Sequence, residues 1–178
     1  RWWLRRCGLG APSEARLGAI LDDLLPARAD AQPVVTWPTG EVRRYRGWLH
    51  AMQPLCRAGA GPWPLIPGQL LSIPGIGSLR LAPAIGSGIS ALRFPGPFQL
   101  ALRRGGERLR PHGAAAEKSV ARLLREAGTE PWLRSRVPLL YSEGRLLAVG
   151  GTWIAAGSAA APAEPGYLVD WSFQARAE

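Results

Sequence analysis

The sequence predicts an α+β protein in two parts: a small helix-plus-hairpin domain, then a β-rich α+β domain with one or two helices packed on a sheet. Three observations carry the prediction. Residues 1–56 hold apolar residues at helical spacing, followed by β-branched and aromatic runs around a Pro-Thr-Gly turn. From Arg57 to Pro97 the apolar runs are short and broken by Pro and Gly. From Leu102 to Ala148 one helical repeat sits between segments that read as strands. A length of 178 residues, 47% of them apolar, is enough for one or two packed cores.

The elements follow in order. Trp2, Trp3 and Leu4 lead into Arg5-Arg6-Cys7-Gly8, a helix that Gly8 can end; this start implies a piece of something longer. Ser13 after Pro12 fits an N-cap, with Glu14 in the first turn. Leu17, Ile20, Leu21, Leu24 and Leu25 give one amphipathic helix that Pro26 stops, and Gly18 weakens it by roughly 1 kcal/mol relative to Ala. After a polar bend, Val34 to Trp37, a turn at Pro38-Thr39-Gly40, and Glu41 to Leu49 read as a hairpin. On its second strand Arg44 and Arg46 share a face and Arg43 takes the other, with Tyr45 available for stacking. Charge that keeps an edge strand soluble explains the same arginines equally well.

A composition shift at Ala58-Gly59-Ala60-Gly61-Pro62 places a boundary near residue 56. Trp63 to Ile66, Gln69 to Ile73, Leu79 to Ala82 and Ile89 to Phe94 read as short strands, and Pro74-Gly75-Ile76-Gly77 as a turn rather than a phosphate loop. Past residue 101 a strand breaks at Gly105-Gly106 and an Arg-rich loop closes at Pro111-His112-Gly113. Val120, Leu123, Leu124 and Ala127 then form the apolar face of a helix capped by Gly128. Lys118, Arg122 and Arg125 form a stripe opposite it, at about 100° per residue. A second short helix at Pro131-Trp132-Leu133, a strand, a turn at Ser142-Glu143-Gly144 and another strand follow. Trp153-Ile154 and Leu168 to Trp171 close the chain as strands around a small-residue loop.

Charge narrows the function. The net charge is +9 and the pI about 11.1. Between Ala101 and Arg136 nine basic and four acidic residues give +5, more than half of the total in about a fifth of the length. Arg103, Arg104, Arg108 and Arg110 precede the cationic helix stripe, and Arg134 and Arg136 follow it. Affinity for a nucleic-acid backbone grows with the number of phosphates neutralised, so such a cluster points to a polyanionic partner. Catalytic constellations are not apparent. His50 and His112 belong to no triad-like pattern, and Asp22-Asp23 reads as a solvated pair. Cys7 and Cys56 fit no C-x-x-C pattern, so free thiols in a reducing compartment are expected, with no metal. The eight tryptophans are expected mostly in the core. With no apolar run of about 18 residues and no leader-like start, neither a membrane helix nor a signal peptide is expected.

Two blocks carry a resemblance. Gly106, Arg108, Arg110, Pro111, and the run Trp132, Leu133, Arg134, Arg136, Pro138, Leu139, Leu140, Tyr141 stand where the C-terminal domain of the tRNA(Ile)-lysidine synthetase family has G-x-R-x-R-P and PPWLRxRxPLLY-like motifs. Here Glu130-Pro131 replaces a Pro-Pro, and the helix has a single Lys. The W-L-R-x-x-G-L run from Trp3, Pro12-Ser13, Ala29-Asp30-Ala31-Gln32-Pro33 and Val42-Arg43-Arg44-Tyr45-Arg46 resemble the substrate-binding domain of the same family.

The resemblance implies domains 1–56 (substrate-binding, tRNA-placing) and 57–178 (C-terminal tRNA recognition, with a β-rich part 57–100 and a basic helix-and-hairpin part 101–178). It implies an ATP-dependent ligase that attaches lysine to the wobble cytidine of CAU-anticodon tRNA(Ile). Decoding then switches from AUG to AUA. ATP and Mg²⁺ belong to an N-terminal PP-loop domain whose S-G-G-x-D-S loop is not in these residues, so this chain is expected to hold no cofactor and to be inactive alone. The expected RNA-binding residues are Arg103, Arg104, Arg108, Arg110, Lys118, Arg122, Arg125, Arg134, Arg136, Arg43, Arg44 and Arg46. The expected partner is tRNA(Ile), with a homodimer compatible and no membrane, in the cytoplasm. Two alternatives stay open: a non-catalytic interaction or structural module, and an accessory domain of a tRNA synthetase.

Overall fold

The computed structural model describes residues 1–28, 31–59 and 61–173. Ala29 and Asp30 of the polar bend, Ala60 of the boundary run and residues 174–178 lie outside the described residues. The chain divides into two compact units, Arg1–Cys56 and a second that begins at Arg57. Few helices and several antiparallel sheets make it α+β.

In the first unit α1 (Trp2–Arg6) ends at Gly8, whose φ of 71° suits a residue without Cβ. Ser13 caps α2 (Glu14–Ala19) by accepting from the Arg16 N–H. The expected continuous helix does not persist. Residues Ile20–Leu24 form a π-helical stretch, closed by the Leu25 N–H donating to the Ile20 carbonyl at 3.1 Å. The wider turn keeps Ile20 and Leu24 in the core and rotates Leu21 and Leu25 outward, 55% and 41% exposed. Asp22 and Asp23 are exposed.

The expected hairpin is a three-stranded antiparallel meander: β1 (Val34–Trp37), β2 (Gly40–Tyr45) and β3 (Trp48–Met52). The second turn is Arg46-Gly47, with φ of 51° and 83°, a two-residue connection between paired Tyr45 and Trp48. Arg46 therefore lies in a turn and does not share a strand face with Arg44. Leu4, Leu9, Ile20, Leu24, Val35, Trp37 and Val42 form the core, and the Trp37 indole N–H donates to the Gly10 carbonyl at 2.8 Å.

The second unit is built on two larger sheets and one small ladder. The first sheet has the order β13 (Trp153–Ile154), β12 (Arg145–Val149), β11 (Leu139–Ser142), β8 (Phe98–Ala101), β4 (Trp63–Leu65). The other has β5 (Leu70–Ile73), β6 (Gly77–Ile85), β14 (Pro165–Ser172), β7 (Ile89–Ser90). Both take strands from either side of residue 100. The ladder pairs β9 (Arg108–Leu109) with β10 (Lys118–Ser119). Pro74-Gly75-Ile76 is the turn between β5 and β6, as its composition suggests.

Two helices follow the ladder, α3 (Val120–Glu126) and α4 (Pro131–Arg134). Ser119 caps α3, and Gly128 at φ 76° lets the Thr129 N–H reach the Leu124 carbonyl. Val120, Leu123 and Leu124 pack on Leu109, Val137, Leu139, Val149 and Ala155. Ala127, placed on that face by spacing, is exposed at the C-cap. Most of the tryptophans meet a core, as expected, and three do not. Trp37 and Trp132 are buried and Trp63, Trp153 and Trp171 pack at the edge of cores, but Trp2, Trp3 and Trp48 are exposed. Large area favours burial only where a core is within reach, and these three sit on terminal or edge elements.

A glycine fixes where β7 meets β14. A Cβ on Gly88 would lie 2.2 Å from the Tyr167 carbonyl oxygen, and Gly88 has φ 81°. Gly88→Ala is expected to destabilise the second unit by about 1–3 kcal/mol, read as a lower denaturant midpoint at unchanged slope.

Candidate nucleic-acid interface

The charged surface is assembled around three glutamates. In the loop after β8, Glu107 turns back on its own backbone. Its carboxylate accepts from the Arg104 N–H and, at 3.0 and 3.1 Å, from the Gly105 N–H. Burial alone would raise its pKa; the N–H groups of Arg104, Glu107 and Gly105, with the Arg103 charge, overcome this and hold it below the ordinary value. Arg103 lies 3.8 Å from that carboxylate and is only 17% exposed in its side chain. It anchors the loop more than it faces solvent. Arg104 is exposed and has no carboxylate partner among the described residues. Tyr141, on β11, has its pKa pushed up by burial and by the Glu107 charge, with Arg104 opposing.

The second glutamate reorders the helix stripe. Lys118 stands on β10 and not on the helix, because Ser119 is the N-cap. Its Nζ still reaches Glu126 at 2.8 Å, while Arg122 Nε meets the other oxygen at 2.6 Å. Those two hydrogen bonds, from Lys118 first and Arg122 next, lower the Glu126 pKa to about 2. Arg125 is exposed near the end of α3. The third glutamate, Glu117, pairs with Arg108 at 2.7 Å, both more than half exposed. A pair this open contributes about 0.2–1 kcal/mol, so a phosphate can compete for the guanidinium.

The arginines of the W-L-R-x-R run are held differently. Arg134 Nε donates to the Thr129 carbonyl at 2.8 Å, and Arg136 donates to the Gly75 carbonyl at 2.6 Å. Both are half-buried. Arg136 thus ties the short helix to the β5–β6 turn, where the Trp171 indole N–H donates to Ile76 at 3.0 Å.

What the tertiary structure does bring together is a groove of about 260 Å³ lined by Arg108, Arg110 and Arg145, with Glu117 as its acid. Arg110 is exposed and has no carboxylate partner among the described residues. Arg145 was not singled out from the sequence. It stands after the Glu143-Gly144 turn, its guanidinium 3.4 Å from the Ala156 carbonyl and 5.5 Å from the Phe94 ring centroid. No local signal marks it, because its neighbours in the groove come from β9 and from the loop after β13.

In the first unit Arg43 binds the buried Glu41 at 2.8 Å, Arg44 donates to the Ala27 carbonyl, and Arg46 lies 5.3 Å from the Tyr45 ring centroid. Arg44, Arg46 and Tyr45 line a niche of about 30 Å³ with Arg28, another residue the sequence did not single out.

Fold and surface define the class: two α+β units, the second carrying an arginine-lined groove and the first a small basic niche. Two family models match, the TilS substrate binding domain over residues 1–50 and the TilS substrate C-terminal domain over residues 98–171. The chain belongs to the tRNA(Ile)-lysidine synthase family. It is 34% identical to the tRNA(Ile)-lysidine synthase of Methylococcus capsulatus over 97% of its own length and 40% of that protein. It is 40% identical to that of Ralstonia nicotianae over 85% of its length and 35% of the relative. To that of Alkalilimnicola ehrlichii it is 36% identical, over 84% and 34%. The chain thus spans about two fifths or less of these curated relatives.

Two outcomes are expected. The Glu126 pKa is lower in the folded chain than its ordinary 4.5, so the carboxylate favours folding above that pH and loses this contribution as pH falls towards about 2. Thermal midpoints across that window should fall more gently in Glu126→Gln than in the parent. Arg136→Met should lower the unfolding midpoint by the loss of a charged hydrogen bond, about 1.5–3 kcal/mol. Its effect on RNA affinity under folded conditions should be small.

Proposed function

We propose that this chain is the tRNA-recognising portion of an ATP-dependent ligase that attaches lysine to the wobble cytidine of CAU-anticodon tRNA(Ile), forming lysidine and switching decoding from AUG to AUA. The observation that carries the reading is the groove where Arg108, Arg110 and Arg145 converge from separate elements with one acid among them. Convergent guanidiniums offer planar forks to successive phosphates. The names of the relatives supply the particular substrate.

On this reading the second unit meets the acceptor stem and the first helps place the anticodon arm. A methionine tRNA shares the CAU anticodon, so discrimination needs a second contact distant from it. Of the expected RNA contacts, Arg104, Arg108, Arg110 and Arg125 are the exposed ones in the second unit beside Arg122, and Arg46 is the exposed one in the first. Arg103, Arg134, Arg136, Arg43 and Arg44 act mainly by shaping the surface. The reading holds for a monomer or a homodimer alike, working in the cytoplasm. No helix among the described residues is long and apolar enough to cross a membrane.

The reading assigns ATP and Mg²⁺ to another part of the ligase than the residues here. Among those described, no group of three or more His, Cys, Asp or Glu could hold a metal ion, and the Gly75-Gly77 run joins two strands instead of opening a helix. They belong, in this proposal, to a PP-loop domain of the whole ligase.

Binding of a tRNA(Ile) transcript by the chain should weaken steeply with salt. Arg104→Glu with Arg110→Glu should reduce affinity at least tenfold and flatten the log–log salt slope by roughly 1–2, as about one phosphate contact per arginine is lost. Unchanged affinity in a folded double variant excludes this surface.

A further inference from the structure

The segment Arg108 to His112 runs beside the segment from Trp153 to Ala156. Ala156 N–H donates to the Arg110 carbonyl at 2.7 Å, Pro111 bridges Ala155, and His112 N–H donates to the Ile154 carbonyl at 2.7 Å. At the Arg110 end lies the arginine groove. At the His112 end is a second depression, of about 320 Å³, whose lining includes Trp153, His112, Thr152, Ser87, Gly86 and Gly88. Aromatic residues beside hydroxyl and backbone hydrogen-bonding groups are the surroundings that an unstacked base accepts.

We propose that this depression takes the base of an unpaired nucleotide, whose phosphates lie in the adjoining Arg108, Arg110 and Arg145 groove. The inference rests on the RNA-binding reading and adds the part of the RNA that is read. A base within a stem shows only its edges and cannot enter a concavity, whereas an unpaired one presents both faces. The spacing suits one nucleotide. Arg110 and His112 flank the bridge residue Pro111, about 6.6 Å apart at strand-like rise. A free aromatic metabolite would gain little from three guanidiniums next door; a phosphodiester-linked base needs them.

The test uses the full chain, fluorescence anisotropy and two RNA hairpins, one closed at its end and one carrying a short unpaired extension. The extension should tighten binding at least about fivefold, the lower end of what one aromatic–base stack contributes. Trp153→Ala should bring the extended hairpin to the level of the closed one. Because Trp153 also packs against the core, Ser87→Trp, at an exposed lining position, provides the second variant and should do the same by filling the pocket. Arg145→Ala should weaken both hairpins. Equal affinity of the parent chain for the two hairpins, or a preference that survives Ser87→Trp, overturns the pocket while tRNA binding persists. Failure to bind the tRNA transcript at low salt overturns the RNA reading and the pocket with it.

Discussion

The pairing of β14 with β6 is the constraint from which the rest of the second unit follows. Eight residue pairs join Pro165–Ser172 to residues 78–85, a contact between segments about ninety positions apart. Closing so long a loop is entropically costly, and the continuous ladder offsets it. The pairing brings Trp171 to the Ile76 carbonyl and to the β5–β6 turn that Arg136 also grips. It sets β14 beside β7, where Gly88 and Gly166 permit an approach that a Cβ would block. The loop between β13 and β14 is thereby held against the Arg-rich segment, and both depressions owe a wall to that loop.

Electrostatics divides the arginines into two kinds. Those bound to backbone carbonyls or buried acids, such as Arg134, Arg136 and Arg43, hold elements together. Those paired with exposed glutamates, such as Arg108 and Arg122, stay exchangeable. Exposed pairs are weak and screened by salt, so a polyanion can displace the glutamate without breaking the fold. Glu117 and Glu126 neutralise part of the charge of Arg108, Lys118 and Arg122, while Glu107 ties down its own loop. A surface with only cations would meet its own repulsion.

Much of the fold was legible from residues 1–178 alone because the signals are local. Ser13 and Ser119 mark helix starts, Gly8 and Gly128 mark helix ends, and Glu143-Gly144 marks a tight hairpin, all by chemistry confined to a few neighbouring residues. The errors share a cause. The π-helical stretch at Ile20–Leu24, the turn at Arg46-Gly47 and the strand position of Lys118 each depend on a shift of one or two residues that hydrophobic spacing does not resolve.

By itself the sequence determined the α+β class, the concentration of positive charge between Arg103 and Arg136, and the motif runs on which the family likeness rests. Only the tertiary structure decided which cations face outward. That choice depends on where carboxylates and carbonyls from other elements come to lie: Gly75 against Arg136, Glu126 against Lys118, Ala156 against Arg145. A charge count is a sum over residues and needs no geometry. A groove requires side chains from separate strands to point into one volume, and strand pairing across the whole unit sets that.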